Sequence, residues 1–238
     1  MTSTTNERIL EYETLYEQVK DRTTLAYLDL LNAMRVEYEE LGEEEKCMNI
    51  CNEIVKLILT KDFKRDNIDI ILLATYDTRA RLGDFRSYCI ALEWNRSIEK
   101  QFFLPRKRIL EKHGLIQAMQ DMADDKLDFL FISLPPRIGK STLGIFFLTF
   151  MAGRFPDRSI LGNGHSNSLT QAFYNEILNI MTSEEYRFSQ IFPGMNIVNK
   201  SSEYSFLDLN KPKRFHTIMF RSIDGGTTGL AEASNVLY

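Results

Sequence analysis

The segment at residues 134–142, which reads LPPRIGKST, constrains the fold of this chain more than any other stretch. It follows an apolar run at residues 126–134 and leads into a second apolar stretch at residues 141–153. The first run ends at two prolines and is typical of a buried parallel strand. The second stretch ends at Gly153 and Pro156 and is typical of a buried helix. A strand, a glycine-containing loop and a helix in this order predict a phosphate-binding loop.

The residues of this loop have distinct expected roles in holding a nucleotide. Gly139 lets the backbone approach a phosphate closely, and the helix that follows offers free N–H donors and a partial positive charge. Lys140 is expected to reach the β- and γ-phosphates, and the Ser141 hydroxyl to join the Mg²⁺ shell. The predicted nucleotide-binding residues are Pro136, Arg137, Ile138, Gly139, Lys140, Ser141 and Thr142. An exposed Lys-Ser turn without a ligand is the alternative.

The loop departs from the usual pattern at its start. Leu134 stands where that pattern has its first glycine. Pro135 and Pro136 restrict φ and so favour a single loop shape. Arg137 is expected to contact the γ-phosphate in cis as a catalytic group beside Lys140. The alternative for Arg137 is a salt bridge that braces the loop.

The rest of the chain divides into a helical part and an α/β part. Apolar residues recur at three- and four-residue spacing over residues 7–60, with a break at Gly42 and an acidic triplet at residues 43–45 that suits a first helical turn. Further helices are predicted at residues 68–76 and 79–94, with a break near Gly83. After residue 100, strands are predicted at 158–162, 214–223 and 235–238, with a turn at residues 162–166 and a helix at 168–182. We therefore predict an α/β fold with a parallel sheet, a helical region at 1–100 and a P-loop domain at 101–238.

Charge and composition limit the class of protein. The net charge is −4; residues 1–60 carry 13 acidic and 6 basic side chains, which leaves +3 for the remainder. This balance argues against indiscriminate nucleic-acid binding but permits a local basic surface. No apolar run approaches the roughly 18 residues that span a bilayer, and no signal peptide is recognisable, so we expect a soluble cytosolic protein. The spacing of three cysteines and three histidines predicts buried thiols and no zinc site.

The stretch ISLPPRIGKST resembles the variant Walker A motif of the large terminase subunits of tailed bacteriophages, in which Pro-Pro-Arg precedes Gly-Lys-Ser. The first glycine is often missing in that family. The resemblance continues through GHSNSLT, IFPGMNIVN, RFHTIMFRSIDGGTTG and NVLY, and covers residues 102–238. It implies a RecA-like ATPase that uses ATP and Mg²⁺ to move double-stranded DNA into the procapsid. It also implies a homo-oligomeric ring on the portal protein, a small terminase subunit as partner, and the cytoplasm of the infected bacterial host as location.

The resemblance further implies roles for individual residues. Lys140 and Ser141 match the phosphate and magnesium positions, and Arg137 matches the loop arginine of sensing or catalysis. Gln101 matches the adenine-contacting glutamine, or is an ordinary exposed polar residue. The Walker B acids are expected after the strand that reaches Tyr238, and a nuclease domain after them. We therefore expect this chain alone to bind nucleotide, with weak or absent turnover.

Some features leave alternatives open. Residues 106–108 (Arg-Lys-Arg) are more typical of a solvated helix start than of a phosphate contact. Residues 225–229 form either a simple turn or a DNA-facing or sensor loop, and Arg221 contacts either DNA or a neighbouring subunit. Two other functions are possible for the whole chain. One is another P-loop motor of helicase or AAA type; the other is a non-catalytic module whose residues 1–100 dock on the portal or the small subunit.

Overall fold

The computed structural model describes residues 2–20, 24–222 and 235–237, with side chains for 7–20 and 24–222. These residues form a mixed α/β structure in which helices predominate. The chain groups into two compact units, residues 1–87 and 88–238. The division falls earlier than the boundary after residue 100 that the sequence suggested. Within the described part, no helix combines the length and the apolar character needed to cross a membrane.

The helices of the described residues are α1 (Thr2–Val19), α2 (Leu25–Leu41), α3 (Glu44–Thr60), α4 (Ile68–Arg81), α5 (Phe85–Leu92), α6 (Phe103–Lys112), α7 (Leu115–Ala123), α8 (Lys140–Arg154), α9 (Asn167–Thr182) and α10 (Phe188–Ile191), with a 3₁₀ turn at Ile98–Lys100. The strands are β1 (Ile160–Gly164), β2 (Ile197–Ser201), β3 (Phe206–Leu209), β4 (Ile218–Ser222) and β5 (Asn235–Leu237).

The first unit is built from α1 to α4, which pack against their neighbours in the chain. Gly42 ends α2 with a left-handed backbone at φ 72°, and Glu44 and Glu45 occupy the first turn of α3, as predicted. Residues 7–60 nevertheless fall in three helices, because a second break, which the sequence pattern did not indicate, separates α1 from α2. Thr24 starts α2 by accepting a hydrogen bond from the Tyr27 N–H, and this cap interrupts a periodicity that the apolar residues alone would continue.

The cysteines behave as the sequence indicated. Cys47, Cys51 and Cys89 are all buried. Cys47 and Cys51 lie one turn apart on α3, where both side chains belong to the core of the first unit. They therefore act as small apolar core residues.

The second unit contains a mixed sheet in the order β2-β3-β4-β1-β5. Strands β4 and β5 each pair parallel to β1, and α9 packs against β1 and β4. The strands predicted near residues 158–162, 214–223 and 235–238 are confirmed. The helices predicted at 141–153 and 168–182 are also confirmed and correspond to α8 and α9. Strands β2 and β3 were not predicted; they pair antiparallel with each other, and β3 pairs antiparallel with β4. The sheet is thus parallel only at β4-β1-β5.

The prediction of a buried parallel strand at residues 126–134 is wrong. No described strand pairs with this segment, and Phe129 and Phe131 are 80% and 93% exposed. An apolar run indicates which side chains stabilise the fold when they are buried. A strand also needs a neighbouring strand that forms hydrogen bonds with its N–H and C=O groups. The described elements therefore establish a mixed α/β fold and do not by themselves establish a RecA-like arrangement.

Candidate functional site

The Pro-Pro-Arg-Ile-Gly segment forms a tight turn that leads directly into α8. Arg137 and Gly139 both have left-handed backbone conformations, with φ of 68° and 93°. Gly139 is the N-cap residue and Lys140 is the first residue of the helix. A positive φ is uncommon for a residue with a side chain, so Arg137 marks a sharply turned loop. The loop-to-helix half of the predicted motif is therefore present.

Within the described part of the chain, no side chain closes the N-terminus of α8. Its first turn also contains no acidic residue. The first N–H groups of a helix have no partner within the helix, and the helix dipole adds partial positive charge there. Lys140, Ser141 and Arg137 are exposed beside these groups. Backbone donors, an ammonium group, a hydroxyl and a guanidinium are thus accessible at one end of one helix, which suits a phosphate.

The glycine of the loop also has a packing role that the sequence did not reveal. A Cβ at Gly139 would lie 2.0 Å from Cε2 of Phe102. The ring of Phe102 also meets the ring of Phe146 on α8 edge-on, at 5.6 Å between centroids. The guanidinium of Arg106 lies 5.1 Å from the centre of the Phe102 ring. Gly139 is therefore needed for close approach of an aromatic ring as well as for the turn.

Gln101 lies next to this ring but is held by the backbone. Its Nε2 donates to the carbonyl oxygen of Arg96 at 3.0 Å and to that of Glu93 at 3.4 Å. It is half-buried, so it is not an ordinary exposed polar residue. Because Phe102 touches Gly139, Gln101 stands one residue away from a contact with the loop. Its contact with adenine stays a prediction.

Glu93 is a residue of this region that the sequence interpretation missed. Its carboxylate accepts hydrogen bonds from the N–H groups of Phe102 and Phe103, and pairs with Arg96 at 3.0 Å. Burial raises the pKa of Glu93, although the two N–H groups and Arg96 oppose this. The only signal in the sequence is a carboxylate within the apolar run IALEW. A buried carboxylate of this kind fixes the backbone groups that it accepts from.

The other candidate residues are arranged as follows. Residues 106–108 lie in the middle of α6 and not at its start, Arg106 and Lys107 are half-buried, and Arg106 donates to the carbonyl oxygen of Phe102 at 3.2 Å. Arg221 lies in β4 opposite Asn163 of β1. Residues 225–229 and the strand end at Tyr238 lie outside the described residues. Among the described side chains, no three His, Cys, Asp or Glu residues cluster as metal ligands. Ser141 is thus the one predicted Mg²⁺ ligand that can be assessed, and its exposure suits that role.

The arrangement matches a phosphate-binding loop on the helix side and not on the strand side. Residues 126–134 reach the loop without forming a helix or a strand, most of them are exposed, and no strand of the described sheet ends at Pro135. No family model matches the chain, and neither a curated protein nor a solved structure was found to be similar to it. The function is therefore inferred from the motif and from the geometry of its loop.

Proposed function

We propose that this chain is the ATP-binding part of a bacteriophage terminase large subunit, which powers the translocation of double-stranded DNA into the procapsid. The observation that carries the proposal is the sequence PPRIGKST at the open N-terminus of α8, with Lys140 and Ser141 exposed on its first turn. A helix end without a cap is a suitable anion site, and the lysine adds the charge that a triphosphate requires.

The proposed binding mode uses the groups at the start of α8. The first N–H groups of the helix hold the β-phosphate, and Lys140 holds the β- and γ-phosphates. Arg137 approaches the γ-phosphate from the loop, and the Ser141 hydroxyl binds the Mg²⁺ that accompanies ATP. Bound ATP supplies the phosphoryl group that is transferred to water. Pro136, Ile138 and Thr142 complete the loop around the phosphates.

The wider setting belongs to the same proposal. A RecA-like arrangement is supported by the parallel strands β4, β1 and β5 and by α9, which packs on two of them. In the assembled motor the protein forms a homo-oligomeric ring on the portal and works with the small terminase subunit in the cytoplasm of the infected bacterium. The nuclease activity that the resemblance implies belongs to the same proposal.

A second function is favoured by a different observation. Residues 1–87 form a compact helical unit of their own, and residues 126–134 do not form the strand of a usual phosphate-binding loop. Both facts suit a non-catalytic module that docks on the portal or the small subunit. In that case the turn before α8 binds no nucleotide.

Measurement of ATP affinity separates these two functions. In the presence of Mg²⁺, calorimetry on the wild-type chain, Lys140→Ala and Lys112→Ala gives the contribution of each lysine. We expect Lys140→Ala to weaken binding by about thirtyfold, or about 2 kcal/mol, because hydrogen bonds between charged groups are lost. Lys112 is exposed in the last turn of α6 and serves as the matched control, with no change expected. If the wild-type chain binds no ATP, the ATP-binding function is wrong and the docking function remains.

A second measurement tests the kind of motor. ATP affinity is compared in the presence of double-stranded and of single-stranded DNA of the same composition. A packaging motor is expected to respond to the double strand. A response to single-stranded DNA alone would instead indicate a motor of helicase type.

A further inference from the structure

Glu93 caps a helix from a distant position in the chain. Its side chain is 2% exposed, and both carboxylate oxygens lie 2.9 Å from the backbone nitrogen of Phe102. One of them lies 2.8 Å from the nitrogen of Phe103, the first residue of α6. The N-cap residue Phe102 has no capping side-chain bond of its own. The carboxylate of Glu93 therefore satisfies donors at the N-terminus of α6.

The turn that carries Glu93 and Phe102 is held at several other points. Arg96 pairs with Glu93 and also donates to the hydroxyl of Tyr186 at 2.5 Å. The guanidinium of Arg96 lies 4.4 Å from the centre of the Tyr186 ring. Gln101 closes the same turn by donating to the carbonyl oxygens of Glu93 and Arg96. A carboxylate is stable in such a buried position only when it is paired and hydrogen-bonded, and here both conditions are met.

Phe102 connects this turn to the start of α8. Its backbone is held by Glu93, and its ring packs against Gly139 so closely that a Cβ there would clash. The same ring meets Phe146, which lies two turns into α8. Movement of Phe102 would thus remove the contact that supports both the N-cap residue and the first part of the helix.

We propose that Glu93 is a positioning residue of the phosphate loop: it fixes Phe102, and Phe102 holds Gly139 and the first turn of α8 in the conformation that receives a phosphate. Its role in nucleotide binding rests on the proposed function, whereas its hold on the loop does not. Glu93 itself touches no nucleotide. It acts only through the backbone and the ring of Phe102.

The hold on the loop is tested without nucleotide by NMR. Gly139 lies beside an aromatic ring, so its resonances carry a ring-current shift. Ile138-Gly139 is the only Ile-Gly pair in the sequence, so labelling with ¹³C-carbonyl isoleucine and ¹⁵N-glycine selects this one amide. We expect Phe102→Leu to remove the shift. We expect Glu93→Gln to remove most of it, because an amide keeps the size of the side chain but accepts through one oxygen only.

Asp208→Asn is the matched control for this experiment. Asp208 is 0% exposed and accepts from the backbone nitrogens of Thr217 at 3.1 Å and Lys213 at 3.3 Å. It therefore has the same burial and the same kind of bonds, but it lies on β3 and its bonds do not involve the loop. The Gly139 resonance should not move in this variant. An unchanged resonance in Glu93→Gln, or an equal movement in Asp208→Asn, would overturn the proposal.

Glu93→Asp keeps the charge while it withdraws the carboxylate by one methylene group, and it serves if Glu93→Gln does not fold. A smaller movement of the Gly139 resonance is then expected. If neither variant folds while Asp208→Asn does, Glu93 is required for the whole unit, and the local positioning role is wrong.

The role in nucleotide binding is tested by ATP affinity in a double-mutant cycle. We expect Glu93→Gln to weaken binding by about tenfold and Asp208→Asn to leave it unchanged. In the Phe102→Leu background, Glu93→Gln should have no further effect, because both changes act on the same contact. Independent, additive losses would contradict action through Phe102. If the wild-type chain binds no ATP, the proposed function fails, and the NMR result still decides whether Glu93 holds the loop.

Discussion

Helices α8 and α9 belong to the same unit, but their N-termini differ. At α9, the hydroxyl of Ser166 accepts a hydrogen bond from the N–H of Leu169, so a local side chain closes the helix end. At α8, the N-cap residue is Gly139, which has no side chain to do this. A serine cap is worth about 1 kcal/mol of stability. A glycine at the N-cap, as in α8, costs only about a few tenths of a kcal/mol relative to serine, and it leaves the first N–H groups of the helix without a side-chain acceptor of their own.

The two helix ends also differ in what packs against them. Gly139 at α8 is covered on one side by the ring of Phe102, which is itself fixed by Glu93. The start of α9 is held by hydrogen bonds within its own first turn, where the Thr170 hydroxyl donates to the carbonyl oxygen of Asn167. The start of α9 is therefore specified locally, and that of α8 depends on a distant turn.

The largest effect is expected from Gly139→Ala, with Gly114→Ala as the matched control. Both glycines are N-cap residues at positive φ, of α8 and α7 respectively. A Cβ at Gly114 meets nothing within 4 Å, whereas at Gly139 it meets the Phe102 ring at 2.0 Å. We expect a loss of about 1 kcal/mol for Gly114→Ala from backbone strain and about 3 kcal/mol for Gly139→Ala from strain and overpacking. Urea denaturation measures both; equal losses would mean that Phe102 does not constrain the loop.

A smaller effect separates the functions of two serines. Ser166→Ala removes the cap of α9 and should lower the free energy of unfolding by about 1 kcal/mol without changing ATP affinity. Ser141→Ala should do the reverse: it should weaken binding of ATP with Mg²⁺ by about tenfold, or about 1.4 kcal/mol, and leave stability unchanged. Denaturation and calorimetry on both variants give the four values. Loss of ATP affinity in Ser166→Ala would remove the distinction between the two helix ends.

The smallest effect concerns the other end of α8. Asp124 accepts a hydrogen bond at 2.9 Å from Arg154 in the last turn of α8, whereas α9 has no basic residue in its last turn. Burial raises the pKa of Asp124, but the bonds from Arg154, Gln120 and Lys126 outweigh it and lower the pKa below its usual 3.8. The charged carboxylate therefore stabilises the fold above that pH, and this contribution is lost as the pH falls through the folded-state pKa.

The corresponding variant is Asp124→Asn. We expect it to lower the free energy of unfolding by about 0.5 kcal/mol at pH 7, since a partly exposed ion pair is weakened by solvent. The difference from the wild type should shrink to nothing in acid. Asp128→Asn, a change at an exposed aspartate four residues further on, is the control and should be neutral at both pH values. A difference that grows in acid would have the wrong sign for a lowered pKa.

Sequence reasoning succeeded where the signal is local and failed where it is not. Helix α8 was predicted at 141–153 and runs over Lys140–Arg154, because an apolar run bounded by glycine and proline has few alternatives. Strand β2 was missed because its side chains are only half-buried or exposed, so it lacks a clear apolar pattern. Residues 126–134 were predicted as a strand on apolar content alone. Nothing near Gly139 in the sequence pointed to Phe102 or Glu93.

The sequence by itself determined the turn at Pro135 to Gly139 and the helix that follows, because proline, glycine and helix-end preferences act over a few residues. It also carried the chemistry of the candidate site, since a lysine and a serine directly after that glycine are read from the chain alone. Only the tertiary structure decided what supports the loop. Ring packing on a glycine and the burial of a carboxylate depend on residues far apart in the chain, and pairing of strands depends on which edge each one meets.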